Sequence, residues 1–199
     1  MTRAPAPLLV ATRNEHKLGE LREILAPTEL LPLPESVQLP PEQGESFGAN
    51  ALVKARAAAA ATGIDSIADD SGIVATALGD RPGVYSARYA GPEADDECNL
   101  KKLLEELEGE RDRSVAYVCA IAYVAAEGGE LVVEARCEGR LGYEPRGRGG
   151  FGYDPCFLPD DTGPDDQRTM AELSPEEKHR ISHRGRAARE LRELLEGPR

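Results

Sequence analysis

The stretch "SVAYVCAIAYV", residues 114–124, decides the fold. Its apolar side chains fall on both alternating faces, which is the pattern of a central strand that is covered on both sides. The stretch "ELVVEARCEGRL", residues 130–141, follows after a short connection at 127–129 and is its expected hairpin partner. Buried strands combined with one long hairpin predict an α/β fold with a mixed sheet.

Helical and strand patterns on either side of this hairpin complete the predicted sheet and its covering layers. The strongest helix pattern is the alanine-rich segment from Ser46 to Thr62. The C-terminal segment begins with a capping box, in which Ser174 precedes Pro175 and Glu177, and we expect it to break near 182–185. The remaining elements are expected as strands at 8–12, 29–33, 65–69 and 72–77 and as helices at 14–25, 93–108 and the C-terminus.

Composition and charge limit the classes of function. The chain has 199 residues, so it is expected to form one domain, or two lobes that share a sheet. Its formal net charge of −12 opposes contact with the phosphate backbone of a nucleic acid, so we expect no nucleic-acid partner. The four cysteines are widely spaced and predict no disulfide framework or metal site. No apolar run approaches the length of a membrane span, and we expect a cytoplasmic protein.

The segment "TRNEHK", residues 12–17, lies between a predicted strand and a predicted helix. Backbone N–H groups and the positive end of the helix would therefore point beyond the strand, where they suit an anion. Thr12 and Asn14 add short polar groups, and Lys17 adds a positive charge. An ordinary capped helix explains the same pattern.

The segment "ADDSG", residues 68–72, places two acids where a strand is expected to end. Aspartate is depleted in strands, so we expect a turn at this point. Adjacent carboxylates suit Mg²⁺, and one of them could accept a proton from water. Both acids would otherwise be solvated turn residues.

Two later segments add a loop and a basic cluster. "GRGGFGYDP", residues 147–155, would allow a flat ligand to approach the backbone and stack on an aromatic ring. "EEKHRISHRG", residues 176–185, concentrates positive charge that could hold a phosphate or a base edge, although solvated helix charges are as common. Ser71, His183 and Asp154 could form a hydrolase triad, but Ser71 lies in no G-x-S-x-G motif.

The ordered set of motifs resembles the inosine triphosphatase family, the dITP/XTP pyrophosphatases. The motifs are "TRNEHK", "ANALVKAR", "ADDSG", "PGVYSARYAG", "GGFGYDP" and "SPEEKHRISHRG", and they span residues 8–195. The resemblance implies a single two-lobed domain over residues 1–199, with a long mixed sheet, flanking helices and a nucleotide cleft between the lobes. It also implies Mg²⁺ dependence, a homodimer, and hydrolysis of nonstandard purine nucleoside triphosphates (ITP, dITP, XTP) to monophosphate and pyrophosphate, which cleanses the nucleotide pool.

The resemblance also assigns roles to individual residues. Asp70 is implied as the general base and a metal ligand, with Asp69 beside it and Glu42 as a second metal-binding acid. "TRN" stands where many members have "TGN", so Arg13 replaces a glycine. The implied substrate-binding residues are Thr12, Arg13, Asn14, Glu15, His16, Lys17, Lys54, Ser71, Phe151, Gly152, Tyr153, Asp154, Lys178, His183 and Arg184.

Base selectivity and two rival functions follow from the same residues. Hydrogen-bond donors from His183, Arg184 or the backbone would favour purines with a 6-oxo acceptor over adenine. A Maf-like pyrophosphatase acting on pyrimidine or modified triphosphates is the alternative enzyme, although its first loop is of an "SxSPRR" type unlike "TRNEHK". A non-catalytic nucleotide sensor is the alternative from another class, although binding alone does not need the carboxylates.

Overall fold

The computed structural model describes residues 6–197. Seven strands form one sheet in the order β2-β1-β3-β5-β6-β7, and β4 pairs with β3. The strands are β1 (Leu8–Val10), β2 (Leu30–Pro32), β3 (Ser66–Ala75), β4 (Arg81–Pro82), β5 (Ser114–Val124), β6 (Glu130–Leu141) and β7 (Phe157–Pro159). The helices are α1 (Glu15–Leu25), α2 (Phe47–Thr62), α3 (Asp96–Glu106), α4 (Pro175–Ile181) and α5 (His183–Glu196).

The sheet is mixed, as the hairpin and the buried strands predict. β1 pairs in parallel with β2 and with β3, and Val10 lies opposite Pro32 and Ile67. β4 and β7 are antiparallel to β3 and β6. Helices cover the sheet, so the predicted α/β class is confirmed. No helix within residues 6–197 is both long enough and apolar enough for a membrane span.

The predicted turn at "ADDSG" is wrong, because β3 continues through both aspartates, Ser71 and Gly72. The glycine has a different purpose: a Cβ there would collide with the hydroxyl of Ser86 and lie 2.6 Å from the carbonyl oxygen of Gly83. Ser86 accepts a hydrogen bond from the backbone N–H of Ile73 at 2.9 Å. Gly72 is therefore a strand residue against which another segment packs closely.

The described chain forms two compact units. The first comprises the described residues up to Asp70, together with 119–135 and the described residues from Arg184 onward. Within it, α1 and α5 share an apolar cluster with Ile67 of β3, whereas α2 shares a second cluster with Ala68. Adjacent residues of β3 thus point to opposite covered faces.

The second unit comprises residues 71–118 and 136–183. Its core joins Ile73 of β3, Tyr117 of β5 and Phe157 of β7 with leucines of α3. The apolar run in β5 therefore contributes to the cores of both units, which explains why it carries no polar face.

Helix boundaries follow the expected chemistry. Asn14 accepts a hydrogen bond from the N–H of Lys17, and Ser174 and Glu177 form the predicted capping box. The predicted break in the C-terminal segment lies at Ser182, between α4 and α5. The sequence interpretation missed the short strands β4 and β7, which contain two and three residues.

Candidate active site

Asp69 lies on the face of β3 that is covered by α1 and α5. Its side chain is fully buried, and its Oδ2 lies 3.0 Å from Lys17 Nζ and 3.0 Å from Arg184 Nη2. Arg184 Nη1 lies 2.5 Å from Glu20 Oε2. Burial alone would raise the pKa of Asp69, but Lys17 and Arg184 hold it well below its ordinary value. Asp69 is therefore an ionised member of a buried ion-pair network.

Asp70 lies on the opposite face, against α2. Its Oδ2 accepts a hydrogen bond from Asn50 Nδ2 at 2.9 Å, and its Oδ1 lies 3.7 Å from Lys54 Nζ. The same ammonium donates to Glu42 Oε1 at 2.6 Å. Burial raises the pKa of Asp70 above its ordinary value, Lys54 opposes this rise, and Glu42 adds to it. Two carboxylates thus share one lysine.

The alanines of α2 explain how this helix delivers its polar residues. Ala51, Ala55 and Ala58 are fully buried against the sheet, and their small side chains let the helix lie close to the strands. Asn50 and Lys54 are four residues apart and so share one face of the helix. Both side chains are buried as a result, at 1% and 7% exposure.

The segment 12–17 forms a capped helix start after β1, as predicted. Thr12 Oγ1 accepts from the N–H of Asn14, whose Oδ1 accepts from the N–H of Lys17. Arg13 points elsewhere: its guanidinium donates to the carbonyl oxygens of Leu33 and Val37, each at 2.9 Å. Arg13 therefore fastens the loop after β2, and its predicted substrate contact stays a prediction. The same holds for the exposed side chains of Glu15 and His16.

In the second unit, Asp154 joins the glycine-rich loop to α4. Its Oδ2 accepts from Lys178 Nζ at 2.7 Å and from the N–H of Phe151 at 3.0 Å. The Lys178 ammonium lies 5.1 Å from the centre of the Phe151 ring. Gly150 has a φ of +69°, and a Cβ there would collide with the Asp154 carboxylate. The predicted loop residues and Lys178 of the predicted basic cluster therefore meet in this unit, whereas Arg184 of that cluster lies beside Asp69.

Other predicted residues of this unit occupy separate positions. Tyr153 is buried and donates its hydroxyl hydrogen to the carbonyl oxygen of Ser86 at 2.8 Å, and burial raises its pKa above the ordinary value. Gly152 donates its N–H to Asp96 at 2.8 Å. Ser71 is half-buried on β3. Their predicted substrate contacts stay predictions.

Comparison with known proteins identifies the family of this chain. The Ham1 family model matches residues 8–194. The chain belongs to the Ham1 family. It is 48% identical to a dITP/XTP pyrophosphatase of Mycolicibacterium paratuberculosis and 47% identical to one of Thioalkalivibrio sulfidiphilus. The alignments cover 96% of this chain in both cases, and 96% and 98% of the relatives. The resemblance stated from the motifs is thereby confirmed.

Solved structures of Ham1 proteins share the fold. A HAM1 protein from Coxiella burnetii superposes with a TM-score of 0.86 at 41% identity, over 96% of this chain and 99% of that one. A nucleoside-triphosphatase / dITP/XTP pyrophosphatase from Mycobacterium abscessus has a TM-score of 0.73 at 46% identity, over 93% and 98%. The Ham1 fold therefore extends over nearly the whole chain.

The sequence interpretation missed one residue beside each of Asp69, Asp70 and Asp154: Glu20, Asn50 and Tyr117. Asn50 stood inside the quoted motif "ANALVKAR", so the motif was the available signal. Glu20 resembles any solvated acid of a helix surface, and Tyr117 any aromatic residue of a buried strand. Their roles depend on partners 164 and 37 residues away, Arg184 and Asp154, and no local pattern reveals these partners.

The predicted metal ligands differ in their surroundings. Among residues 6–197, no group of three or more His, Cys, Asp or Glu side chains is arranged to hold a metal ion. Glu42 and Asp70 nevertheless direct carboxylate oxygens at one common cation, the Lys54 ammonium, and hard oxygen donors of this kind fit Mg²⁺. Asp69 instead has Lys17 and Arg184 against its carboxylate, which favours ion pairing over direct ligation.

Proposed function

We propose that this Ham1 protein hydrolyses nonstandard purine nucleoside triphosphates, ITP, dITP and XTP, to the nucleoside monophosphate and pyrophosphate. The family match and the dITP/XTP pyrophosphatases with which the chain aligns over nearly its full length support this substrate class. The single observation that carries the mechanism is the buried Asp70 carboxylate, held between Asn50 and Lys54 with a raised pKa.

Asp70 would act as the general base. Water attacks the α-phosphorus, its proton passes to a carboxylate oxygen of Asp70, and pyrophosphate leaves. A carboxylate with a raised pKa accepts a proton more readily than an ordinary aspartate at neutral pH. The hydrogen bond from Asn50 fixes one carboxylate oxygen, and the other faces Lys54.

The residues of α1 and α2 would hold the triphosphate. The N-terminal N–H groups of α1 and the ammonium groups of Lys17 and Lys54 supply donors and positive charge to an anionic chain. Glu42 and Asp70 would hold Mg²⁺ through their carboxylate oxygens. The ion would supply charge neutralisation at the phosphates while bound.

The glycine-rich loop and α4, with His183 at the start of α5, would hold the base and the sugar. Phe151 is half-buried and offers a ring for stacking, and Lys178 lies over that ring as a positive charge. His183 is buried and stacks on Tyr117, and its ring is the third proposed contact. Donors directed at a 6-oxo group favour hypoxanthine and xanthine over adenine. Arg184 is 1% exposed and engaged by Asp69 and Glu20, so we assign it to the ion-pair network and give base contact to the other residues.

The assembly and location of the enzyme are part of the same proposal. We propose a cytoplasmic homodimer that binds no nucleic acid. The net charge of −12 opposes binding to a phosphate backbone. The four cysteines, which all lie in the described part of the chain, form no disulfide, as is usual in a reducing compartment. Light scattering after size-exclusion chromatography tests the dimer.

Product analysis tests the function. Purified protein is incubated with ITP, XTP, dITP, GTP, ATP, dTTP and UTP, with Mg²⁺ or with EDTA, and the products are separated by anion exchange. We expect monophosphate and pyrophosphate from ITP, dITP and XTP in the incubations with Mg²⁺, and no products in those with EDTA. Cleavage confined to pyrimidine triphosphates would support the Maf-like alternative, and tight ITP binding without cleavage would support the sensor. Diphosphate with orthophosphate would contradict attack at the α-phosphorus.

A further inference from the structure

Tyr117 of β5 makes two contacts that its position in the core does not require. Its hydroxyl group donates to Asp154 Oδ1 at 3.0 Å. Its ring stacks on the His183 ring, with the centroids 4.5 Å apart and the planes 10° from parallel. The Tyr117 ring also packs against the Phe157 ring, with the centroids 4.5 Å apart and the planes tilted by 33°, which is an ordinary core contact. Tyr117 itself is 6% exposed, so it is shielded from solvent.

Asp154 connects Tyr117 to two further groups. One carboxylate oxygen accepts from Tyr117, and the other accepts from Lys178 and from the N–H of Phe151. The carboxylate is 3% exposed. A buried carboxylate with donors on both oxygens is well suited to hold its neighbours in place. The Tyr117 hydroxyl group is therefore linked through the Asp154 carboxylate to the Lys178 ammonium and to the backbone N–H of Phe151.

We propose that Tyr117 is a positioning residue of the nucleoside side of the site. It fixes the His183 ring by stacking and fixes Lys178 and Phe151 through Asp154, and it touches no reacting atom. This inference rests on the proposed function, because it takes these three residues as base and sugar contacts. A side chain that is held in its binding geometry before the ligand arrives loses less freedom on binding. The role therefore belongs to substrate affinity more than to turnover.

The test is the steady-state kinetics of Tyr117→Phe with ITP. This variant keeps the stacked ring and removes only the hydroxyl group. We expect KM to rise about tenfold, the equivalent of about 1.4 kcal/mol, with kcat within about twofold of the wild type. Inorganic tripolyphosphate lacks base and sugar, so its inhibition constant should not change.

Tyr123→Phe is the matched control. Tyr123 lies on the same strand and donates its hydroxyl hydrogen to Asp65 Oδ2 at 2.6 Å, in the first unit. The Tyr123→Phe variant thus loses a tyrosine–aspartate hydrogen bond of the same kind, and its KM for ITP should stay at the wild-type value. A raised KM in this variant too would mean that any tyrosine–aspartate bond of β5 has the same effect, and would overturn a specific role for Tyr117.

A double variant tests the route through Asp154. If Tyr117 acts through Asp154, then Tyr117→Phe combined with Asp154→Asn should raise KM no further than Asp154→Asn alone. Fully additive effects would overturn this route. A wild-type KM in Tyr117→Phe, with or without a lower urea midpoint, would make Tyr117 a simple core residue. An inactive wild-type protein would instead defeat the proposed function, and the Tyr117 role with it.

Discussion

The two faces of β3 at Asp69 and Asp70 give the same side chain two different environments. On one face, Asp69 and Glu20 are matched by Lys17 and Arg184, and the pKa of Asp69 is lowered. On the other, Asp70 and Glu42 share Lys54, and the pKa of Asp70 is raised. The difference shows that the alternation of a strand is enough to separate a structural carboxylate from a candidate base.

Removing Arg184 should have the largest effect on stability. Arg184→Met removes the guanidinium group from the buried Asp69 carboxylate. Loss of one partner of a buried ion pair costs about 3–5 kcal/mol. Urea unfolding measures the loss. The control is Arg56→Met, which breaks the exposed pair with Glu130 and should leave the free energy of unfolding unchanged. Equal losses in the two variants would contradict a buried network.

Asp70→Asn should have the largest effect on turnover. Loss of a general base lowers kcat at least about a hundredfold, which corresponds to about 2.7 kcal/mol of activation free energy. The measurement is ITP turnover with saturating Mg²⁺, after circular dichroism has shown that the variant is folded. Near-normal turnover would remove Asp70 from its role. The comparison is sharpened if Asp69→Asn loses more stability than Asp70→Asn.

Asn50→Ala should separate stability from turnover. Asn50 is 1% exposed, donates to Asp70 and accepts from the N–H of Gly44 at 2.7 Å. We expect a loss of about 1–3 kcal/mol in stability, because the buried Asp70 carboxylate and the half-buried N–H of Gly44 each lose a hydrogen-bond partner. We also expect a lower kcat, because Asp70 loses the group that orients it.

The matched control for this variant is Asn99→Ala. Asn99 is 2% exposed, accepts from the N–H of Ala90 at 2.8 Å and donates to the carbonyl oxygen of Ala87 at 3.2 Å. It should lose comparable stability and keep its kcat. If both variants keep the wild-type kcat, Asn50 has no part in the orientation of Asp70.

The pH dependence of stability should show the smallest effect and the clearest sign. Asp69 has a lowered pKa, so its contribution is present above the ordinary aspartate value of 3.8 and is lost as the pH falls below it. Asp70 has a raised pKa, so stability is lost as the pH rises from the ordinary value of 3.8 through the folded value. In EDTA between pH 4 and pH 7, Asp70→Asn should gain stability relative to the wild type as the pH rises. Parallel curves in urea unfolding would contradict the raised pKa.

Local sequence patterns, such as the alternation of strand residues and a helix capping box, predicted most of the fold. The strands at 114–124 and 130–141 and the capping box at Ser174 depend on neighbours in sequence, and the structure confirms them. The turn at "ADDSG" was wrong because local preferences of aspartate and glycine favour a bend. The close approach of Ser86 to Gly72, fourteen residues away along the chain, requires the extended strand instead.

The candidate site was predictable only in part. The carboxylates, the lysines and the loop at 151–154 stand in motifs whose order identified the family. Asn50 and Tyr117 were not identified as site residues, because what distinguishes them is a partner on another element, Asp70 or Asp154, and only Asn50 stood in a quoted motif. The different environments of Asp69 and Asp70 likewise depend on helices that are distant from them in sequence, such as α5 beside Asp69 and α2 beside Asp70.

The bond from Arg184 to Asp69 also has a consequence for synthesis of the chain. The two residues are 115 positions apart, and Arg184 lies in α5. At about 5–20 residues per second, Asp69 is added to the nascent chain about 6–23 seconds before Arg184. During that interval the first unit lacks α5 and the apolar contacts that α5 provides. A nascent Ham1 chain therefore cannot complete this unit before α5 has been synthesised, and chaperones that shield apolar surface would matter until then.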